Sequence, residues 1–237
     1  MSSYRDIESS LTEVQIYFPE AEKVAEAKAA LAAALDIIGA RAEISVGEIP
    51  DEDWRLAYRR HFTTERIGKR LVVHPPWEPM PTDGVVVTLD PGLAFGTGKH
   101  ETTRACLEYI DELSGEGGSF LDMGCGSGIL SIAASLLGYG PVEGFDVDEE
   151  AVQASQENAA LNNAAVAYRK FALGRPGNAG PAGKYDLVAA NILGPLLIRF
   201  ADEIAPYVGK RLIISGILTT LYPEVLAAYT AHGFTEV

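Results

Sequence analysis

Residues Phe120–Gly128 read F-L-D-M-G-C-G-S-G and contain the pattern that decides the fold. An apolar run ends in an acid, Asp122, and three glycines follow at alternate positions: Gly124, Gly126 and Gly128. The apolar run is typical of a buried parallel strand, and residues 129–138 behind it have helix character. Glycines at a strand-to-helix turn let a ligand approach the backbone, because no Cβ atom stands in the way. The stretch therefore predicts a site for a nucleotide-type cofactor.

Two classes of cofactor could bind at such a turn. Nicotinamide and flavin dinucleotides favour the pattern G-x-G-x-x-G, but Ile129 occupies the third glycine position. Asp122 would place negative charge beside a pyrophosphate, whereas it suits the cationic amino or sulfonium group of S-adenosylmethionine. A second acid, Asp146, ends another apolar run 22 residues after Gly124, where a carboxylate can accept ribose hydroxyls. This spacing fits either cofactor, while Asp122 and Ile129 favour the methyl donor.

Strand-like and helix-like patterns alternate from Gly84 onward, which predicts an α/β fold with a doubly wound, mostly parallel sheet. The strands are expected near residues 85–89, 119–122, 142–146, 165–171, 185–190 and 211–215. The helices are expected near residues 100–113, 129–138, 149–162, 195–206 and 218–232.

The chain is predicted to have three parts. Residues 1–50 form a small α+β unit, with a strand over 11–18, an alanine-rich helix that ends at Gly39 and a strand over 41–46. Residues 51–83 form a connector that contains a helix and a strand over 70–74. Residues 84–237 form the cofactor-binding domain.

Composition limits the classes of partner. The 19 basic and 33 acidic residues give a net charge of −14, so we expect no direct nucleic-acid binding. Acidity favours a basic protein partner, but it also serves solubility, and both interpretations stay open. The two cysteines, Cys106 and Cys125, predict neither a disulfide framework nor a metal site. The polar first residues and the lack of an apolar run of about 18 residues predict a cytoplasmic protein without membrane contact.

A second glycine-rich segment, D90-P-G-L-A-F-G-T-G-K-H-E-T-T103, precedes the first. It opens a helix near Glu101, and the free N–H groups at a helix start can hold a carboxylate, here that of a methionine moiety. In isolation, the segment is equally consistent with a surface loop.

Four stretches together resemble the PrmA family of methyltransferases, which act on ribosomal protein L11. They are the segment from Leu89 to Thr103, F120-L-D-M-G-C-G-S-G-I-L-S-I-A-A134, F145-D-V-D148 and D186-L-V-A-A-N-I-L193. The resemblance implies a Rossmann-like class I methyltransferase fold, S-adenosylmethionine as cofactor and a protein substrate, ribosomal protein L11, methylated on lysine or α-amino groups. The resemblance also implies that residues 1–50 form a substrate-recognition unit, which is shorter than the corresponding domain of the family. The family's last strand has no counterpart in this sequence.

The resemblance also assigns site residues. Cofactor contacts of the family fall on Thr103, Gly124, Asp146 and Asn191, and the family's loop over the cofactor matches Phe95, Gly96 and Thr97. We also expect Asp122, Gly126 and Gly128 to contact the cofactor, because they lie in the glycine-rich turn or just before it. No residue is predicted to bind a metal.

Asn191 is the candidate catalytic residue, because it ends a predicted strand at the carboxyl edge of the sheet, where such sites form. Its side-chain carbonyl, or the backbone carbonyl of Ile192, could aim the lone pair of an amine at the methyl group. The alternative is that Asn191 only caps the helix that begins ahead of Pro195. The sequence indicates no general base.

Other functions remain open at this point. A related methyltransferase could act on a different protein or on a small molecule. From other classes, a non-catalytic cofactor-binding module and a dinucleotide oxidoreductase stay as distant alternatives.

Overall fold

A computed structural model of the protein describes residues 2–5, 12–15, 21–39, 42–46, 62–90, 101–175 and 180–237. Contacts between Cα atoms divide the chain into two compact units, Met1–Glu52 and Asp53–Val237. None of the helices within the described ranges is both long and apolar enough to cross a membrane.

The first unit contains an antiparallel pair of strands and one helix. Strands β1 (Ser2–Arg5) and β2 (Thr12–Gln15) pair with each other, and helix α1 (Ala21–Ile38) follows. The predicted helix is confirmed, and it ends at Gly39, whose φ of 66° is the left-handed conformation that commonly ends helices. The predicted strand over residues 41–46 is wrong for residues 42–46, which are irregular. Strand β1 was not predicted.

The second unit begins with a three-stranded sheet. Its strands are β3 (Glu65–Ile67), β4 (Leu71–His74) and β5 (Val85–Thr88). Strand β4 pairs antiparallel with β3 and parallel with β5. The sequence suggested that the strand at 85–89 introduces the large parallel sheet, but β5 pairs with β4 instead. The predicted boundary at Gly84 therefore falls between two paired strands.

The large sheet of the second unit has five strands, all parallel, in the order β10-β9-β6-β7-β8. They are β6 (Phe120–Met123), β7 (Val142–Asp146), β8 (Ala167–Lys170), β9 (Tyr185–Asn191) and β10 (Val208–Ser215). The helices are α2 (Glu101–Leu113), α3 (Ile129–Leu136), α4 (Glu149–Leu161), α5 (Gly194–Arg199), α6 (Ala201–Ile204) and α7 (Tyr222–Thr230). The predicted α/β fold with a doubly wound parallel sheet is confirmed.

The order of strands reverses at β6. The chain adds β7 and β8 on one side of β6, and then β9 and β10 on the other. Strands β6 and β9 are in register, with Met123 opposite Ala190, so Gly124 and Asn191 follow at the same level. In open α/β sheets, ligands bind at the carboxyl ends of the strands where the order reverses. The topology therefore indicates a site between Gly124 and Asn191.

Two hydrophobic clusters cover the two faces of this sheet. One cluster joins the sheet to α2, α3 and the three-stranded sheet, and includes Phe120, Leu107, Ile132, Val87 and Ile67. The other joins it to α5, α6 and α7, and includes Met123, Val188, Leu197, Ile204 and Val225. Burial on both faces explains why the central strands are continuous apolar runs.

A buried carboxylate fastens the three-stranded sheet to α2. Asp111 on α2 is 4% exposed and accepts hydrogen bonds from the backbone amides of Lys69 and Arg70, at 2.7 and 2.9 Å. The Nε atom of Arg70 donates to the same carboxylate at 2.7 Å. Burial opposes the ionisation of Asp111, but the hydrogen bonds from Arg70 and from the two amides outweigh it and lower its pKa.

We expect Asp111→Ala to lower the free energy of unfolding by about 2–4 kcal/mol, because the amides of Lys69 and Arg70 and the Arg70 side chain all lose their acceptor. Urea denaturation would measure the loss. Because the pKa of Asp111 is lower in the folded protein, its ionisation stabilises the fold at pH values above the unfolded pKa of about 3.9. This stabilisation is lost as the pH falls through the folded pKa. The difference between wild type and Asp111→Asn should therefore shrink below about pH 4.

Glu108→Ala is the matched control on the same helix. Glu108 is exposed and pairs with Arg104 at 3.7 Å, so its loss should cost no more than about 0.5 kcal/mol. Equal losses in the two variants would contradict the role given to Asp111.

Candidate active site

The glycine turn, Gly124–Gly128, connects β6 to α3. Its three glycines have positive φ angles of 75° at Gly124, 53° at Gly126 and 80° at Gly128, which other residues adopt only with strain. At Gly124 space is also limiting, since a Cβ atom there would lie 2.5 Å from Cγ2 of Ile192. The turn therefore packs against the end of β9 more closely than any side chain would allow.

Asp146 ends β7 beside this turn. One carboxylate oxygen accepts a hydrogen bond from the amide of Gly126 at 3.0 Å, and the other accepts one from the amide of Asp148 at 3.1 Å. A carboxylate has about four acceptor positions, so two amides fix its orientation and leave acceptor capacity for ligand hydroxyls. Asp146 is half-buried, so its oxygens can be reached from the edge of the sheet.

Asn191 and Thr103 meet across the carboxyl end of β9. The side-chain amide of Asn191 donates to the hydroxyl of Thr103 at 3.2 Å, although the residues are 88 positions apart. Thr103 is buried on the first turn of α2. Helix α5 is capped at Leu193 without a side-chain hydrogen bond, so Asn191 does not cap it. Because the hydrogen bond to Thr103 uses the side-chain NH2 group of Asn191, its carbonyl oxygen can accept a hydrogen bond from a ligand.

Asp122 lies beneath the glycine turn. It is 1% exposed, and its carboxylate accepts a hydrogen bond from the amide of Ser131 at 3.1 Å, on the first turn of α3. Burial raises the pKa of Asp122 to about 7, while hydrogen bonds from Ser131 lower it and the charge of Asp146 raises it further. Asp122 therefore titrates close to neutral pH.

Further polar residues support the turn, and sequence analysis missed them. The Ser131 hydroxyl donates to the carbonyl of Gly128 at 3.0 Å and lies 2.9 Å from the hydroxyl of Tyr168. The Ser155 hydroxyl, on α4, lies 2.8 Å from the carbonyl of Gly126. The sequence does contain a signal for Ser155, because it follows the apolar Val152 by three positions and so lies on the same, buried face of α4. A polar residue on an apolar helix face needs a buried partner.

The structure brings seven of the predicted site residues to one edge of the sheet: Thr103, Asp122, Gly124, Gly126, Gly128, Asp146 and Asn191. Phe95, Gly96 and Thr97 lie outside the described residues. Cys125, within the turn, is buried, and burial raises the pKa of its thiol, which therefore stays protonated. Within the described ranges, no three His, Cys, Asp or Glu side chains are grouped as a metal site would require.

Comparison with known proteins identifies the family of this chain. The family model described as ribosomal protein L11 methyltransferase (PrmA) matches residues 2–237. A ribosomal protein L11 methyltransferase from Burkholderia multivorans is 42% identical over 207 residues, which cover 85% of this chain and 67% of the relative. One from Azotobacter vinelandii is 46% identical over 190 residues, which cover 79% of this chain and 64% of the relative. The chain spans about two thirds of the length of these relatives.

A solved structure gives the same result for the fold. The crystal structure of ribosomal protein L11 methylase from Lactobacillus delbrueckii subsp. bulgaricus matches with a TM-score of 0.65 and 32% identity. The match covers 73% of this chain and 90% of that chain. The family model, these relatives and the solved structure together show that the chain belongs to the ribosomal protein L11 methyltransferase (PrmA) family.

Proposed function

We propose that this protein transfers methyl groups from S-adenosylmethionine to amino groups of ribosomal protein L11. The observation that supports it best is the pairing of Asn191 with Thr103, next to a glycine turn tied to Asp146. Family membership supplies the reaction class, and the relatives' names supply the substrate. A substrate on the ribosome also favours a cytoplasmic location.

The described residues suit this cofactor. Asp146 offers preoriented carboxylate oxygens, which are good acceptors for the two hydroxyls of a ribose. The glycine turn offers backbone that a ligand can approach without meeting a Cβ atom. Thr103 lies on the first turn of α2, where free N–H groups attract a carboxylate such as that of a methionine moiety. Contacts from Phe95, Gly96 and Thr97 remain part of the proposal through the family resemblance.

The proposed reaction requires the chain to position an amine next to the methyl group. S-adenosylmethionine supplies a methyl group on a sulfonium, which is already a good leaving group, so orientation and exclusion of water are the main tasks of the residues. We assign orientation to Asn191, whose carbonyl oxygen can accept a hydrogen bond from the amine while its amide is held by Thr103. Lysine has a pKa of about 10.4, so the amine must lose its proton before it reacts, and burial favours that loss.

We propose that the rest of the chain serves the protein substrate. The net charge of −14 favours a basic partner. Residues 1–50 are proposed as the substrate-recognition unit and residues 84–237 as the methyltransferase domain. Strands β3 and β4, from the intervening residues 51–83, belong to the same compact unit as that domain. The same charge gives no support to direct nucleic-acid binding.

Asp146→Ala tests the cofactor site. We expect affinity for S-adenosylmethionine to fall by about 1.5–3 kcal/mol, because the ribose loses charge-assisted hydrogen bonds. Calorimetric titration measures this change directly. Glu157→Ala is the matched control, because Glu157 is an exposed carboxylate on α4 that accepts a hydrogen bond from Gln153 at 2.9 Å on the same helix, so its loss should leave affinity unchanged. Unchanged affinity in Asp146→Ala, or binding of NADH in place of the methyl donor, would contradict the proposed site.

Asn191→Ala tests the catalytic assignment. We expect turnover with ribosomal protein L11 to fall roughly 10²-fold, because the amine is no longer held in line with the methyl group. Initial rates at saturating methyl donor would measure it, with Glu157→Ala again as control. Full turnover in Asn191→Ala would leave Asn191 a structural residue.

Asp122 is proposed to act on the cofactor from beneath the turn. Its raised pKa means that the folded protein keeps a proton that the unfolded chain releases above about pH 4. Stability should therefore fall as pH rises from about 4 to about 7, by up to about 1.4 kcal/mol per pH unit. Asp122→Asn should lack this loss, since its amide has no proton to release. Urea denaturation between pH 5 and 8 compares the stability of the two proteins, and parallel pH dependences would contradict the raised pKa of Asp122.

A further inference from the structure

Helix α4 presents a buried asparagine to the candidate site. Asn158 is 4% exposed and shares the inner face of the helix with Val152, Ser155 and Ala159. A buried side-chain amide is costly unless its donor and acceptor groups are paired. The partners of Asn158 therefore indicate what this side chain holds in place.

The amide of Asn158 bridges two segments that are distant in sequence. Its Nδ2 atom donates to the carbonyl oxygen of Ser127 at 2.9 Å, inside the glycine turn. Its Oδ1 atom accepts a hydrogen bond from the amide of Asp90 at 3.3 Å, just beyond the end of β5. Both partners are backbone groups, so the bridge fixes main chain to main chain rather than one side chain to another.

Helix α4 holds two successive carbonyls of the turn. Ser155 approaches the Gly126 carbonyl at 2.8 Å, and Asn158 donates to the next carbonyl, that of Ser127. The amide of Gly126 donates to Asp146 at 3.0 Å. Both carbonyls are thus engaged by α4, while the amide is engaged by the carboxylate proposed to hold the ribose.

One helical turn later, Asn162 makes similar bonds in a different place. It accepts from the amide of Thr88 at 2.7 Å and donates to the carbonyl of Thr88 at 2.6 Å. It also donates to the carbonyl of Asn158 at 2.7 Å. These bonds join α4 to β5 and to itself. Asn162, the residue that caps the C-terminal end of α4, thus also pairs with backbone at or near the end of β5, but its bonds do not include the glycine turn.

We infer that Asn158 is a positioning residue for cofactor binding. It acts through the Ser127 carbonyl, which it ties to the end of β5, and so sets the position of the glycine turn relative to Asp146. The inference rests on the proposed function, because it assumes that the turn holds S-adenosylmethionine. Asn162 stabilises the same helix and strand without this effect on the turn.

The test compares Asn158→Leu with Asn162→Leu. Leucine has nearly the shape of asparagine but neither donates nor accepts, so each variant loses the bonds of one side chain, and both should lose stability in urea. By calorimetry, Asn158→Leu should weaken binding of S-adenosylmethionine about tenfold, whereas Asn162→Leu should stay within about twofold of wild type. In assays with ribosomal protein L11, Asn158→Leu should raise KM for the methyl donor more than it lowers kcat.

Two outcomes would overturn the inference: equal losses of affinity in both variants, or unchanged affinity in Asn158→Leu. If Asn158→Leu does not fold, Asn158→Ala and Asn162→Ala provide a second pair. Alanine removes the same hydrogen bonds without placing a large apolar side chain against the backbone groups that are left unpaired. A wild-type protein that does not bind S-adenosylmethionine would contradict the proposed function itself, before any variant is compared.

Discussion

A side chain at Gly124 would collide with Ile192, because a Cβ atom there would lie 2.5 Å from its Cγ2 atom. This close approach joins the glycine turn to the residue that follows Asn191, where β6 and β9 are neighbours. The amide of Gly126 joins the same turn to Asp146, at the end of β7. The ends of three strands are thus held together at the turn by a backbone amide and by a glycine that lies close to the Ile192 side chain. The positions of the site residues depend on this packing.

The polar groups beneath the turn are consistent with a preformed site. Ser131 connects Asp122 to the Gly128 carbonyl, and Asn158 connects Ser127 to the end of β5. Each is buried, and each is paired with backbone, which makes the arrangement costly to distort. A turn held in this way loses little conformational entropy when a ligand binds, so its affinity for the ligand is higher than that of a flexible turn. The same rigidity suits a reaction that depends on orientation more than on acid or base catalysis.

The parallel sheet and most of its site could be predicted because both leave local patterns. Apolar runs that end in Asp122, Asp146 and Asn191 have the length and composition of buried strands, and glycines mark the turn. Strand pairing leaves no such local pattern, so β5 could be predicted as a strand, but its partner β4 could not. Asp111 and Asn158 were missed because polar residues in helices usually face solvent, and their partners lie 41 and 68 positions away.

We propose that this chain methylates ribosomal protein L11. The most direct test is the intact mass of purified ribosomal protein L11 after incubation with this protein and S-adenosylmethionine. We expect added mass in multiples of about 14 Da, one for each methyl group, and none when either the protein or the methyl donor is left out. An unchanged mass, from a preparation that binds S-adenosylmethionine, would contradict ribosomal protein L11 as the substrate.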